Sequence, residues 1–462
     1  MLQGVSTVVV VGLGKLGLPL AVQYAQHGRR VIGCDINTQV VDTVNAGNTH
    51  VHEEPELATE VPRLVSEGWL SATIDTARAV RQADIVVVIV PVIVNGRHEV
   101  DFSAIDAATA AIGAGLRPGT LVIYETTLPV GTTTWRSAHI LERTANLKAG
   151  QGFLLAYSPE RVSSGHVFRD LRIYPKVVAG IDERSTTAAA SFYSSVLDAQ
   201  IIAMASIEEA EFVKLMETTY RDVNIALANE FATFADAHGL SVAAAIAAAN
   251  TQPYSHIHSP GVGVGGHCIP VYPYFLLSGL EDKWISDAEL PMLMLPRLAR
   301  RINDAMAEYA VKRIEAVIAS LSHRSVLILG AAYRGNVREV AFTSARLLQE
   351  ALVEHGATVY VDDPLFSPRE LRTLGYTPLA AESVDQICAI ILQADHEAYH
   401  SYDFNRFTHC RVVLDGRKAL DRHNIELLGM RYMSIGDSGD EQSEVQKDKQ
   451  LALSALHSGE SR

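Results

Sequence analysis

The chain has 462 residues, 48% of them hydrophobic and 20% charged, which predicts two or three domains of about 100–200 residues and excludes a disordered chain. Lys and Arg number 39 against 53 Asp and Glu, a formal charge of −14; nucleic acid and anionic membranes are thereby excluded as main partners, whereas an anionic small molecule is not. The 4 cysteines are too few for a disulfide framework and point to a reducing, cytoplasmic setting.

No secretory signal is read at the N-terminus, where no basic stretch precedes the first apolar run. That run, Thr7–Val11, is β-branched and predicts a strand. Gly12-Leu13-Gly14-Lys15-Leu16-Gly17 follows, then a helical pattern ending near His27-Gly28, then a second strand from Val31 to Asp35. This is one βαβ unit. Further strands are predicted at 85–90, 121–124 and 153–157, alternating with helices to about Val178, which implies a parallel sheet covered on both faces. The longest apolar stretch, 85–94, contains Pro91. It is far shorter than the roughly 20 residues of a membrane helix and is expected as a buried parallel strand.

The period changes at Ser206-Ile-Glu-Glu209, which has the form of a capping box. Helical periodicity then runs to His238-Gly239, roughly 50 Å of helix. Such a helix joins domains or packs against a second subunit. A further helix is expected over about 290–321. The last third echoes the first: Ser325-Val-Leu-Ile-Leu-Gly330 resembles the segment from Ser6 to Gly12, and the segment from His355 to Asp362 resembles that from His27 to Asp35. A second nucleotide-binding-like domain follows, with Ala331-Ala-Tyr-Arg-Gly335 in place of the glycine turn. The expected architecture is α/β: two Rossmann-like, doubly wound domains joined by a helical central domain with a long connecting helix. The expected boundaries are 1–205, 206–322 and 323–436, with a polar mobile tail over 437–462.

The glycine motif follows a strand, opens a helix and is followed by Asp35 at the next strand's end. Its glycines permit a tight turn and close approach of a pyrophosphate, and the carboxylate suits the free ribose hydroxyls of NAD while repelling the 2′-phosphate of NADP. Arg29 and Arg30 precede the strand and are not read as phosphate ligands. A second glycine-dense loop, Gly261-Val-Gly263-Val-Gly265-Gly266-His267-Cys268, presents a candidate nucleophile; Cys34, Cys388 and Cys410 lie in or beside apolar runs and are expected as core thiols. Glu211, Lys214, Thr218 and Asp222 share one helix face, either a solvated stripe or a polar seam in which Lys214 stabilises an oxyanion. The segments 125–133 and Ser158-Pro-Glu160-Arg161 each follow a strand end, where ligands bind in open sheets, and Glu160 is a candidate acid or base. His256, His258 and His267 lack partners at metal-site spacing, so hydrogen bonding and no metal is expected.

As an ordered set over about 6–436, these motifs resemble the UDP-glucose/GDP-mannose dehydrogenase family, closer to its branch acting on UDP-N-acetylhexosamines. The resemblance implies a four-electron oxidation of a sugar C6 alcohol to a carboxylate with two NAD⁺, and a homodimer formed through the long helix. It implies that Cys268 forms a thiohemiacetal and then a thioester, that Lys214 stabilises the oxyanion, that Glu160 handles a proton in hydrolysis and that Thr127 helps hold a water. The cofactor set is then Gly12, Gly14, Lys15, Leu16, Gly17, Asp35, Pro91 and Thr126. The substrate set is Arg161, Thr218, Gly261, Gly263, Gly265, Gly266, His267, Tyr272 and Arg334. The chain departs from the family pattern at Thr218, where Asn is usual, at Tyr272, where Asp is usual, at Arg334 in place of Lys, and at Ala341 in place of Arg. Two alternatives stay open: a two-electron nucleotide-sugar dehydrogenase, and a catalytically impaired sugar-nucleotide binding protein.

Overall fold

In the computed structural model, which describes residues 5–278 and 292–437, the first β-branched run forms β1 (Thr7–Val11). It is followed by β2 (Arg30–Cys34), β3 (Leu70–Thr73), β4 (Ile85–Val88), β5 (Ile93–Val94), β6 (Val100–Asp101), β7 (Leu121–Tyr124), β8 (Leu154–Tyr157), β9 (Lys176–Gly180) and β10 (Ile201–Ala203). Eight of these form one sheet in the order β10-β9-β8-β7-β4-β1-β2-β3. The chain steps outward from β1 to β3 and crosses back to β4, so the topological switch point lies between β1 and β4. β4 and β7 are buried along their whole length, as expected of strands covered on both faces.

Two expectations about this sheet are corrected. The apolar stretch 85–94 is not one strand: β4 ends at Val88, and β5 pairs antiparallel with β6 in a separate small sheet. Pro91, which has no N–H to give a ladder, lies in the break. The sheet is also not parallel throughout, because β9 runs antiparallel to β8. Nothing in the alternation of Lys176–Gly180 encodes that direction; side-chain contacts described below account for it. β3 and β10 were not anticipated.

The long helix spans Ile207–His238, 32 residues. Ser206 Oγ accepts from the Glu209 N–H at 3.1 Å, while the Glu209 carboxylate accepts from Ala205 N–H at 3.1 Å, one residue further back than in the expected box. Gly239, at φ 66°, ends it in a left-handed cap, with Leu240 N–H donating to Ala235 O at 2.9 Å. A second long helix is Met294–Ile318; the start expected near 290 and the tail expected beyond 437 lie outside the described residues.

The described residues fall into two compact units, one holding 5–217 and 274–278, the other 218–273 and 292–437. The second unit contains β11 (Ser325–Leu329), β12 (Thr358–Asp362), β13 (Ile387–Leu392), β14 (Val412–Asp415) and β15 (Arg431–Ser434). They form an all-parallel sheet in the order β12-β11-β13-β14-β15, doubly wound about a switch point between β11 and β13. The echo between the two halves is real, but shifted by one residue. Gly12 N–H donates to Cys34 O and Leu13 N–H to the Asp35 carboxylate; Gly330 N–H donates to Asp362 O and Ala331 N–H to the Asp363 carboxylate. The counterpart of Asp35 is therefore Asp363, not Asp362.

Asp363 is buried, accepts from Ala331 and Ala332 N–H at 2.7 and 2.9 Å, and meets His396 Nε2 at 3.2 Å. His396 Nδ1 accepts from Asn336 N–H at 3.0 Å. Donors on every side hold the Asp363 carboxyl below the usual aspartate range, so its contribution to stability is present above the ordinary aspartate pKa and is lost as pH falls through the lower folded value. Asp363→Ala is expected to cost about 2–4 kcal/mol, read as a lower urea midpoint at unchanged slope. Asp362→Ala, which removes only the acceptor of Tyr402 Oη, is expected to cost about 1 kcal/mol. Equal losses would refute the one-residue shift.

Candidate active site

In the first unit the candidate residues gather at the carboxyl edge of the sheet, after β1, β2, β4, β7 and β8. The three glycines of the first loop are bare for three reasons. Gly12 has φ 97° and a Cβ there would lie 3.0 Å from Ile89 O; at Gly17 it would lie 1.8 Å from Gly12 O. At Gly14 a Cβ would meet no protein atom within 4 Å, so fold packing does not explain its bareness, whereas the approach of a pyrophosphate does. The helix Gly17–Gln26 has no side-chain cap and no acidic residue in its first turn, leaving its positive end for an anion. Asp35 accepts from Leu13 and Asn37 N–H, both at 2.9 Å, which ties the loop to the end of β2. Thr126 Oγ1 donates to Val90 O at 2.8 Å beside exposed Pro91. Lys15 is not aimed at an open site: its ammonium pairs with Glu53 at 2.9 Å. These residues fit a dinucleotide.

Beside them lies a buried charge cluster. Lys176 Nζ donates to Glu125 Oε2 and to Glu160 Oε2, each at 2.8 Å. Glu125 Oε1 accepts from Tyr24 Oη at 2.9 Å and Tyr193 Oη at 2.6 Å. Glu160 Oε1 accepts from Arg161 and Val162 N–H at 2.6 and 2.9 Å. All three charged side chains are buried. The Lys176 ammonium and these donors pull Glu160 down to about 2, against the desolvation that would raise it. Glu160 is therefore a carboxylate at neutral pH with both oxygens engaged, the form a general base needs and not that of a general acid. Thr127 is buried nearby in sequence. Arg161 is already paired, with Glu217 at 2.5 Å and with Pro175 O at 3.0 Å. Sequence reading missed Lys176, Tyr24 and Tyr193, and assigned Glu125 no role; the partners of Glu125 lie 51 to 101 residues away from it.

On the long helix, Glu211, Lys214, Thr218 and Asp222 are all buried, which rules out the solvated stripe. Glu211 accepts from Gly131 and Thr133 N–H at 2.5 and 2.9 Å, holding the segment after β7; burial pushes its carboxyl up to about 7. Asp222 meets Arg300 at 2.5 Å and Asn303 Nδ2 at 2.8 Å.

In the second unit, the same helix holds the glycine loop. Asn224 accepts from His258 N–H and donates to His256 O, and Asn229 accepts from Gly261 N–H at 3.0 Å; for His256 and His258 it is the backbone that bonds Asn224. The loop's glycines are bare for a reason of packing that the expected wrapping of a ligand does not require. A Cβ at Gly263 would lie 2.7 Å from Ser344 Cβ, at Gly265 2.7 Å from Tyr333 Cβ, and at Gly261 3.1 Å from Gly416 O. At Gly266, φ 103°, it would lie 3.1 Å from the Tyr333 ring. They make room for the chain's own C-terminal segment. His267 is 58% exposed and faces Glu339 at 3.3 Å. Cys268 is half-buried and carries a free thiol; its carbonyl accepts from Tyr272 N–H at 2.9 Å, so Tyr272 opens the helix Tyr272–Leu277 one turn on. Arg334 is exposed beside the Tyr333 ring. Among the described residues no group of three His, Cys, Asp or Glu could hold a metal, and no helix is long and apolar enough to cross a membrane.

Three family models match the chain in order: UDP-glucose/GDP-mannose dehydrogenase family, NAD binding domain, over residues 6–197; central domain, over 208–304; and UDP binding domain, over 327–422. The chain is 33% identical over 436 residues to a UDP-N-acetyl-D-mannosamine dehydrogenase of Pyrococcus horikoshii, covering 93% of this chain and 99% of that one. It is 34% identical over 419 residues to an NDP-N-acetyl-D-galactosaminuronic acid dehydrogenase of Ralstonia nicotianae, covering 89% and 95%. The solved UDP-D-ManNAc dehydrogenase of Pyrococcus horikoshii superposes with a TM-score of 0.83 at 31% identity, covering 94% of this chain and all of that one.

Gly14 and Gly17 separate binding from folding. Gly14→Ala is expected to leave apo stability within about 0.5 kcal/mol and to weaken NAD⁺ binding in a fluorescence titration. Gly17→Ala is expected to lower both, because its methyl has no room. A Gly14→Ala protein that binds NAD⁺ like the wild type would remove the pyrophosphate from this loop.

Proposed function

On the premise that the chain belongs to the UDP-glucose/GDP-mannose dehydrogenase family, we propose that this NAD-dependent dehydrogenase oxidises the C6 alcohol of a UDP-N-acetylhexosamine to the uronic acid in the cytoplasm. The sugar class rests on the names of the relatives. The observation that carries the covalent mechanism is that, of the four cysteines, only Cys268 is not buried. Burial pushes the Cys34 and Cys410 thiols up to about 12, which leaves them without thiolate at neutral pH.

Bound NAD⁺ supplies the hydride acceptor. After the first oxidation the Cys268 sulfur attacks the C6 aldehyde carbon, forming a C–S bond and a thiohemiacetal. Loss of the second hydride from that carbon leaves a thioester. Water then adds to the carbonyl, the C–S bond breaks, Cys268 leaves as a thiolate and the sugar carries a carboxylate. The Lys214 ammonium stabilises the oxyanion. The Thr127 hydroxyl and the ionised Glu160 orient the water, which assigns the place of the usual Asp to groups other than Tyr272. Thr218 and Tyr272 shape the sugar pocket with His267 and the glycine loop, Arg161 orients the Glu160 loop, and Arg334 binds the nucleotide phosphates.

The long helix also carries a stripe of large apolar side chains that the described residues do not cover. Phe212, Met216, Tyr220, Leu227, Phe231 and Phe234 are 38–57% exposed. A second copy of the chain is the occupant proposed, as a two-fold homodimer.

Wild-type enzyme is expected to form two NADH per UDP-N-acetylhexosamine consumed; one would establish a two-electron dehydrogenase, and none a binding protein. Cys268→Ala is expected to stall before the second NADH. Light scattering at micromolar concentration is expected to give twice the chain mass, and Phe231→Glu with Phe234→Glu the single mass; a monomeric wild type would overturn the dimer.

A further inference from the structure

Glu125, Lys176 and Glu160 place two carboxylates and one ammonium, all buried, in one cluster, a net charge of −1 withdrawn from water. Such a cluster is stabilised by taking up one proton. The two carboxyl groups are not equivalent hosts for it. Glu160 receives two backbone N–H groups and the ammonium, and these donors cannot turn away. Glu125 receives the ammonium and two phenol hydroxyls, and a hydroxyl can rotate to accept instead of donate. One ammonium bridges the two carboxyl groups, with Lys176 Nζ 2.8 Å from Oε2 of each. The charged and titratable groups facing Glu125 are Tyr24 from the helix after β1, Tyr193 from the helix after β9, Lys176 from β9 and Glu160 from the loop after β8.

We propose that Glu125 is the store for the proton released when water hydrolyses the thioester, that Glu160 is the relay that hands it over, and that Lys176 is the positioning residue holding both carboxylates in line. The reading rests on the proposed role of Glu160 beside the reacting water. The step balances: the water oxygen bonds to the carbonyl carbon and the C–S bond breaks toward sulfur; one water proton passes along Glu160 to Glu125 and is later lost to solvent or returned to the Cys268 thiolate, and the other leaves to solvent as the new carboxyl group ionises. Burial and the Glu160 charge push Glu125 up to about 6, which suits a group that is empty at neutral pH and close to accepting.

The test reads the store without turnover. Infrared difference spectra of the full-length protein are recorded between pH 5 and 8 and taken as wild type minus variant. The subtraction is needed because Glu211, at about 7, and Asp222, at about 6, also carry protons in that range. The Glu125→Gln difference is expected to contain one protonated-carboxyl band with a midpoint of about 6, whereas Glu160→Gln is expected to keep that band and move its midpoint lower, because the neighbouring carboxylate charge that raised it is gone. In turnover, the acid limb of kcat is expected to vanish in Glu125→Gln. Lys176→Met is expected to lower kcat at least tenfold with KM for NAD⁺ within about twofold, and Lys176→Arg to restore most of it. Should Glu125→Gln not fold, Tyr193→Phe removes one donor from the carboxylate and is expected to raise the midpoint. A band that belongs to Glu160, a midpoint unmoved in Tyr193→Phe, or an acid limb retained in Glu125→Gln would each overturn the proposal. A protein that shows the Glu125 band but oxidises no nucleotide sugar would instead overturn the proposed function.

Discussion

One constraint recurs in both sheets. A loop leaving the first strand turns back over the second strand, and the carboxylate just past that second strand receives the loop's first free N–H. Asp35 does this for Leu13 and Asp363 for Ala331. Without it the loop's backbone donors would sit unpaired at the switch point, at a cost of about 1–3 kcal/mol each. The two copies then diverge. Asp35 is partly exposed and retains surface toward solvent, as a residue meant for ribose hydroxyls must. Asp363 is buried and closed off by His396. The same local device thus serves cofactor recognition in one half and loop rigidity in the other.

The reversed strand has a comparable reach. Because β9 is antiparallel to β8, with Tyr157 opposite Ala179, its first residue lies past the end of β8, level with Glu160. A parallel β9 of five residues would carry Lys176 to the opposite edge, about 17 Å away. The two carboxylates past β7 and β8 would then be buried without a counter-ion, which costs several kcal/mol per ion. The direction of β9 and the ionisation of Glu160 are one fact seen at two scales.

Much of the architecture was legible because it rests on local signals. A β-branched run, three glycines and a carboxylate twenty-odd residues on specify the first βαβ unit, and the capped helix from Ile207 announces itself at both ends. The family likeness was legible in the order of the motifs. What was not legible is non-local. Strand direction at β9 depends on Lys176 meeting residues 51 and 16 positions away. Why the second glycine loop is bare was not legible, because a bare backbone looks the same whether a ligand or a protein segment fills the space. The ionisation of Glu160 was not legible because it depends on a lysine that sequence spacing gives no reason to select. The echo was found but misaligned, since Asp362 and Asp363 are adjacent and only hydrogen bonding distinguishes them.

The packing of the second glycine loop has an evolutionary consequence. Each missing Cβ is matched by a particular atom elsewhere in the second unit: Ser344 opposite Gly263, Tyr333 opposite Gly265 and Gly266, Gly416 opposite Gly261. Neither side can enlarge alone, because a side chain at Gly263 requires Ser344 to shrink first. Substitutions in these two stretches are therefore epistatic, and the order in which they arise is constrained: the C-terminal segment has to yield before the loop can change. A lineage that remodels its loop should carry the record of that sequence of events at 333 and 344.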